Sequence, residues 1–504
     1  MDETRPEHGV AEGWQLYFVG TDGIPPNVVA DPVVVRYRGV LERAAGRVRV
    51  GQPVFLGPGG VPDVRVNRWF VSDELGNAGR TTWRKYAYSL LVWLNFLVAY
   101  GVSWDRPGRD AQSAFKVWRL SDARNPSRVA PGTYEHNLIA LRLFYRWASG
   151  EFGIPDPIRV RPRRGSDDRY GSEPVTAPAA SRDRNVKWFD PDGYRRYRDV
   201  GLMGFALDGS EDPGFRGRNS QRDGAFADAL YGTGLRLSEM GSLLTLELPA
   251  DDPHRVYTTC RLADECAKGG RGRDYWMPRR TLVEVLGYIE GERARAVRRA
   301  QRADRYRRLA DARVIVSVSA SRRVRLQGFD GRVSEVSLDA LGLSERRRLL
   351  VEGADGLEPA AVWLNEDGLA RDPHGWEHTF SQANARLARL GLVGFAGAPH
   401  MLRHSFALRW FSVGRLAYQE RVAHLNKQET RDFREQFGDA WDLVQLMLGH
   451  VDPRSTRHTY LEPFRGLGVE LLLLHAAEES ISKLMRAVFH RDGRVLTDPV
   501  GTLR

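Results

Sequence analysis

Between about residues 156 and 185 the chain reads Ile158-Arg-Val-Arg-Pro-Arg-Arg-Gly-Ser-Asp-Asp-Arg and then Pro174 to Arg184, with few apolar anchors. A stretch so rich in Pro, Gly, Ser and Arg buries too little apolar surface to fold alone, so it reads as an exposed basic linker. It divides the chain into a smaller and a larger domain. As a solvated loop it would only connect them; as a basic strap it could also lie along phosphates.

Ahead of the linker, residues 65–155 show helical spacing. Apolar positions recur near every 3.6 residues from Val66 to Leu75, and Thr81-Thr82 can cap a second helix running through Leu97. Asp110–Leu120 and Pro131–Gly150 supply two more, the last mixing Leu138, Leu141, Phe144, Tyr145 and Trp147 with Arg142 and Arg146. These helices predict a compact all-α module. Tyr86 to Trp104 carries no charge over 19 residues, a length that could span a bilayer. Ser89, Asn95, Gly101 and Ser103 within it, and basic flanks on the Arg84–Lys85 side alone, favour a buried helix and a turn. Residues 1–64 form an N-terminal extension of unknown role, with short Val-rich runs that suggest at most a strand pair.

The larger domain begins near Trp188. Helical patterns recur at 191–200, 221–233, 238–244, 279–299, 373–390, 402–413, 440–448 and 468–488. A hairpin is expected between Tyr257 and Pro278, turning at Gly269-Gly270-Arg271-Gly272. A further strand group is expected over 313–338, where Val314, Val316 and Val318 alternate with polar residues before an Asp330-Gly331 turn. No solenoid-type repeat is present.

The formal charge of +11 favours a polyanionic partner without saying which one. Arginine outnumbers lysine 69 to 6, a bias that a GC-rich genome also produces, so it is the few lysines that stand out. Cys260 and Cys266 are the only cysteines, which excludes a disulfide scaffold and fits a reducing compartment. The polar start lacks an apolar signal core, so a cytoplasmic protein with no membrane partner is expected. Neither a GxxxxGK[ST] loop nor a GxGxxG turn occurs, so nucleotide dependence is not indicated.

Chemistry concentrates in three blocks. Tyr231-Gly-Thr-Gly234-Leu-Arg236-Leu-Ser-Glu239-Met sets an arginine among apolar neighbours at a Gly-bounded helix start. A guanidinium there needs a partner, and an ion pair with Glu239 is the purely structural explanation. Pro399-His400-Met-Leu-Arg403-His404 opens a helix with both imidazoles and the guanidinium on one face. His400 and His404 stand four apart as in a zinc site, but Met401 follows where HExxH needs its Glu, so no metal is expected. The third block is Leu448-Gly449-His450, followed ten residues later by Tyr460. Between the first two blocks Lys268 sits at the hairpin turn.

In this order the blocks resemble the tyrosine recombinases, the family of phage and transposon integrases, over about 65–475. The first Arg box looks like Thr233-Gly-Leu-Arg236-Leu-Ser-Glu239 and the hairpin lysine like Lys268. The HxxR box looks like His400-Met-Leu-Arg403-His404, the second histidine like His450 and the nucleophile like Tyr460. The resemblance implies a mainly α protein. Its parts are an all-α SAM-like core-binding domain (65–155), the linker (156–185), an α+β catalytic domain with a small antiparallel sheet (186–475) and a C-terminal helix and tail (476–504), together a C-shaped DNA clamp. Insertions are expected at about 300–350 and 419–439, and the His450–Tyr460 spacing is one residue longer than usual for the family.

The implied chemistry is phosphoryl transfer through a 3′-phosphotyrosyl link, without metal, ATP or other cofactor. Arg236 and Arg403 would hold the non-bridging oxygens, His400 and His450 would add hydrogen bonds, Lys268 would protonate the 5′ leaving oxygen, and Glu239 and His404 would support them. Arg142, Arg146, Arg161, Arg163 and Arg164 are the expected DNA contacts. The partners implied are double-stranded recombination sites, a homotetramer on DNA and accessory DNA-bending or directionality proteins. Two other readings stay open: a type IB topoisomerase-like enzyme, and a catalytically silent DNA-binding regulator. Tyr257, Tyr275 and Tyr418 are rival tyrosines, but none follows a Gly-His pair.

Overall fold

The computed structural model describes residues 13–20, 49–76, 78–162, 172–176, 187–422, 426, 428–429, 444, 448 and 493–501. His450, Tyr460, Arg163, Arg164, nearly all of the 440–448 helix, the 468–488 helix and most of the 419–439 insertion lie outside the described residues. The chain separates into two compact units, Met1–Asp183 and Arg184–Arg504.

In the first unit, β1 (Gln15–Phe18) pairs antiparallel with β2 (Pro53–Leu56). Helix α1 (Val64–Arg68) starts where the Asp63 carboxylate accepts from the Arg65 and Val66 amides, at 2.8 and 3.3 Å. Helix α2 (Arg80–Tyr100) stops at Gly101, whose φ of +77° is left-handed. Thr81 and Thr82 lie inside its first turn and do not cap it; extended Gly79 precedes it with no side-chain cap. Helices α3 (Ala111–Leu120) and α4 (Pro131–Phe152) follow, α4 opening on a proline that needs no amide partner there.

Aromatic residues build this core: Trp69, Trp93, Phe115, Phe144 and Tyr145 are fully buried or nearly so. The polar edges of Trp93 and Tyr145 are satisfied, since Trp93 Nε1 donates to the Tyr145 hydroxyl at 2.9 Å and that hydroxyl donates to the Trp104 carbonyl at 2.9 Å. Phe55 of β2 is fully buried in the same cluster, so the strand pair is part of this core. The uncharged run expected to be a buried helix is α2; Asn95 on it bonds both the amide and the carbonyl of Trp14. Among the described residues no helix is long and apolar enough to cross a membrane. Past α4, Ile154 and Ile158 remain in this core, and β3 (Val160–Pro162) pairs with β4 (Ser172–Pro174). Tyr134 then donates to Thr176 Oγ1 at 3.0 Å. Part of the stretch read as linker therefore runs along the first unit.

In the second unit, β5 (Trp188–Phe189) leads into α5 (Pro191–Arg196), which continues as a π turn over Tyr197–Met203. Next come α6 (Ser220–Thr233) and α7 (Leu237–Gly241). The expected hairpin is present, β6 (Tyr257–Leu262) against β7 (Arg273–Pro278), with Leu262 opposite Arg273. Helices α8 (Arg279–Tyr288) and α9 (Ala294–Arg302) are joined by a π turn at Ile289–Arg293.

The strands expected over 313–338 are β8 (Arg313–Val318), β9 (Arg323–Gly328) and β10 (Val333–Ser337). After α10 (Leu343–Arg346) the chain adds β11 (Leu349–Gly353) and β12 (Gly356–Pro359). The five-stranded order is β10-β9-β8-β11-β12, and β8 runs parallel to β11. This corrects the expectation of a small antiparallel sheet and extends the strands beyond residue 350. The reason is long-range: the connection through α10 returns the chain beside β8, and no local alternation signals such a pairing. Helices α11 (Gly375–Arg389) and α12 (Pro399–Val422) complete the unit, with β13 (Val495–Leu496) parallel to β5. Helix α6 is buried on nearly every side, and its Phe226 stacks on Trp376 of α11 at 3.5 Å.

Candidate active site

Helix α6 ends at Gly234, whose φ is +66° and where a Cβ would collide with the Phe406 ring. This glycine frees its carbonyl to accept from Arg403 Nη1 and turns the chain so that Arg236 precedes α7. Glu239, in the first turn of α7, accepts from the Arg236 amide at 2.9 Å and from Arg236 Nη1 at 2.8 Å. The structural ion pair considered from sequence is thus real, but it is only part of the cluster. Arg273 on β7 grips the same carboxylate with Nη2 and Nη1, at 2.7 and 3.3 Å, and Arg403 Nη1 lies 4.0 Å from it.

Glu239 and Arg403 are each 1% exposed. Burial pushes the Glu239 pKa up, but the Arg273 hydrogen bond and the charges of Arg273, Arg403 and Arg236 outweigh it and hold it at about 2. Among the described residues three guanidiniums thus gather on one carboxylate, two positive charges in excess of it. Such an excess at a buried position favours an incoming anion.

Helix α12 begins at Pro399 as expected, and its His400 and His404 rings pack edge to face at 4.5 Å. His404 is buried against Trp188. His400 keeps a solvent-facing edge, yet the protein crowding its ring, and then the charges of Arg403, Arg236 and Lys268, lower its pKa to about 4. It is neutral at pH 7 and able to accept a proton. Asn384 of α11 fixes the approach to this helix, bonding the amide and carbonyl of Gly397 at 2.8 and 2.9 Å. Arg236, His400 and Arg403 line one cleft of about 380 Å³ together with Ser381 and Asn384.

Lys268 is exposed on the hairpin turn, and its amide reaches Glu239 at 3.5 Å, tying hairpin to helix. Arg403 Nη2 donates to the Leu448 carbonyl at 2.8 Å, which fastens the HxxR box to the Leu-Gly-His element. Arg236, Glu239, Lys268, His400, Arg403 and His404 therefore meet in one place, while His450 and Tyr460 lie outside the described residues. Of the rival tyrosines, Tyr275 is 1% exposed and burial raises its pKa, so it is poorly placed to attack a substrate. Tyr257 is partly exposed at the base of the hairpin, where its hydroxyl accepts from Arg409 at 3.3 Å.

Arg273 was missed from sequence. Its only local signal is a second arginine after the hairpin glycines, and its role depends on a contact made 34 residues away. Among the expected DNA contacts, Arg142 is partly exposed on α4, Arg146 is exposed and 3.7 Å from Glu74, and Arg161 is exposed on β3. A larger cavity of about 520 Å³ lies beside α5, α6 and the base of the hairpin. It contains none of Arg236, His400 and Arg403, and several of its arginines are already paired: Arg198 with Asp228, Arg255 with Asp252 and Arg279 with Asp251.

No protein-family model and no curated protein matches the sequence. Solved structures of low similarity do match. XerH site-specific recombinase bound to palindromic difH substrate, a post-cleavage complex, is 13% identical with a TM-score of 0.41, over 78% of this chain and 80% of that one. The Tn1549 transposon integrase in complex with circular intermediate DNA is 12% identical with a TM-score of 0.40, over 78% and 92%. The integrase of mycobacterium phage Brujita is 14% identical with a TM-score of 0.17, over 82% and 97%. Each of these three is at most 14% identical to this chain, with a TM-score no higher than 0.41.

Proposed function

We propose that the chain is a site-specific DNA recombinase of the tyrosine type, cleaving and rejoining strands through a phosphotyrosyl link. The observation that carries this reading is the cleft in which Arg236, Arg403 and neutral His400 converge on a site with surplus positive charge. A phosphodiester brings negative charge there, and more develops on its non-bridging oxygens as a nucleophile attacks. Planar guanidiniums suit those oxygens because each can donate two hydrogen bonds in a fixed fork.

In this reading the Tyr460 oxygen attacks phosphorus, its proton passes to His400, and the bond to the 5′ oxygen breaks. Lys268 gives that oxygen a proton, leaving a 3′-phosphotyrosyl link and a free 5′-hydroxyl. A 5′-hydroxyl of another strand reverses the step, so phosphoester bonds are conserved and no ATP is consumed. His450 would add a hydrogen bond to the phosphate and His404 would support His400. The two units would close on duplex DNA as a clamp, with four copies assembling on paired sites and backbone contacts from Arg142, Arg146, Arg161, Arg163 and Arg164.

Covalent trapping on nicked duplexes carrying the ends of the encoding element tests this. A DNA-linked band on denaturing gels with wild type, absent with Tyr460→Phe, is expected without metal or ATP. A band from both chains would mean that another residue is the nucleophile. Binding without a band from either would leave a silent DNA-binding protein. Relaxation of arbitrary supercoiled plasmid would instead indicate topoisomerase activity.

A further inference from the structure

We infer that α9 forms a second phosphate-binding surface for duplex DNA, separate from the cleft that holds Arg236 and Arg403. The choice of DNA as the polyanion rests on the proposed function; the surface itself does not. Arg295, Arg298, Arg299 and Arg302 are all exposed, and their spacing of three, four and seven places them along one face of the helix. The opposite face is anchored, with Ala296, Val297 and Ala300 buried.

Few carboxylates answer this charge. Glu366 lies 3.7 Å from Arg299 and 3.4 Å from Arg218. Glu292 also lines this surface, but its two oxygens already accept from the Gln221 and Arg222 amides at 3.2 and 2.9 Å, where it caps the start of α6. Arg295, Arg298 and Arg302 have no carboxylate within 4.0 Å among the described residues. Like charges three and four apart repel along a helix, so an approaching polyanion relieves a repulsion already present in the fold.

The shape and composition favour a phosphate backbone over a folded protein. The four arginines border a concavity of about 420 Å³ together with Arg218 and the carboxylates Glu292 and Glu366, so five guanidiniums outnumber two carboxylates there. No apolar side chain of α9 is exposed, so nothing here could form the desolvated aromatic or aliphatic centre of a protein interface. Guanidiniums repeated at each helical turn instead suit a row of phosphates. The surface meets the N-terminal end of α6 through Glu292, whereas the cleft lies at its C-terminal end, roughly 20 Å away by helix rise. A duplex held here is gripped away from the bond being broken, so the surface contributes affinity and not chemistry.

The test is the salt dependence of duplex binding by the full chain, wild type against the triple variant Arg295→Ala, Arg298→Ala and Arg302→Ala. If three phosphate contacts are lost, the slope of log affinity on log salt becomes shallower by roughly 2.7, and binding at low salt weakens about tenfold or more. The corresponding triple lysine variant keeps most of the slope, and covalent linkage at saturating DNA is unchanged in all three chains. An unchanged slope in the alanine variant overturns the inference, as does an unchanged slope with lost retention on polyglutamate, which would indicate an acidic protein partner. Wild type that forms the covalent link while the slopes coincide sinks this surface alone. Wild type with no duplex affinity at all overturns the proposed function with it.

Discussion

Two buried glutamates eight residues apart, Glu239 and Glu247, use the same local device and end in opposite electrostatic states. Each accepts from a backbone amide three residues earlier, Glu239 from Arg236 at 2.9 Å and Glu247 from Leu244 at 3.2 Å. Glu247 then binds Arg346 through both oxygens, at 2.6 and 3.2 Å, and Arg322 at 2.9 Å, while Asp339 takes the rest of Arg322. Two guanidiniums face two carboxylates, and Arg346 also donates to the Leu338 and Leu341 carbonyls at 2.9 Å. That cluster is neutral and closed. Around Glu239, among the described residues, three guanidiniums face one carboxylate beside an open cleft. Buried arginine alone therefore does not mark a site in this molecule; arginine in excess of carboxylate, next to open space, does.

Removing the Glu247 carboxylate probes the closed cluster. Glu247→Gln leaves the buried Arg346 uncompensated and should lower unfolding stability by about 3–5 kcal/mol, measured by denaturant titration. A loss below about 1 kcal/mol would break the comparison, because the closed cluster would then not be structural. Arg403→Lys tests the open cluster. It keeps the charge and loses the fork, and single-turnover formation of the covalent link should slow about 10²–10³-fold while DNA affinity stays within a few-fold. Equal losses of affinity and rate would mean that Arg403 holds DNA without favouring the transition state.

Acid sharpens the contrast. The folded-state pKa of Glu239 is depressed from 4.5 to about 2, so its contribution is fully present above about pH 4.5 and is lost as pH falls towards 2. The shift is worth about 3 kcal/mol at most. Glu239→Gln should flatten the acid limb of a stability–pH curve in that window, and an unaltered limb would show the carboxylate to be uncoupled from its three arginines. The smallest expected effect is an absence. His400, lowered to about 4, stays neutral from pH 5.5 to 8, so the cleavage rate should show no histidine-like inflection there. An inflection near pH 6.5 that disappears in His400→Gln would show that burial and the surrounding cations do not control this ring.

Local patterns were legible in the sequence wherever a backbone rule fixed them. The hairpin was readable from its glycines, α12 from Pro399, and the Arg236–Glu239 pair from its spacing of three. Contacts between distant segments were not. Arg273 reaches Glu239 only because the hairpin folds back over α7, and β11 joins β8 in parallel only after a long connection. The Thr81-Thr82 cap failed for a different reason: the helix begins at Arg80, after extended Gly79, so both hydroxyls already lie inside its first turn. The nucleophile assignment still rests on the sequence alone.

The Arg403 side chain joins carbonyls at residues 234 and 448, one 169 positions before it and the other 45 after. In kinetic terms this junction is a high-contact-order feature, because closing such loops carries an entropy cost that the contacts repay only afterwards. A growing chain can complete both units' local helices and the hairpin while this arginine still lacks its second partner. The final placement of this guanidinium is therefore reached late in folding, after residue 448 has been made and brought back to α12.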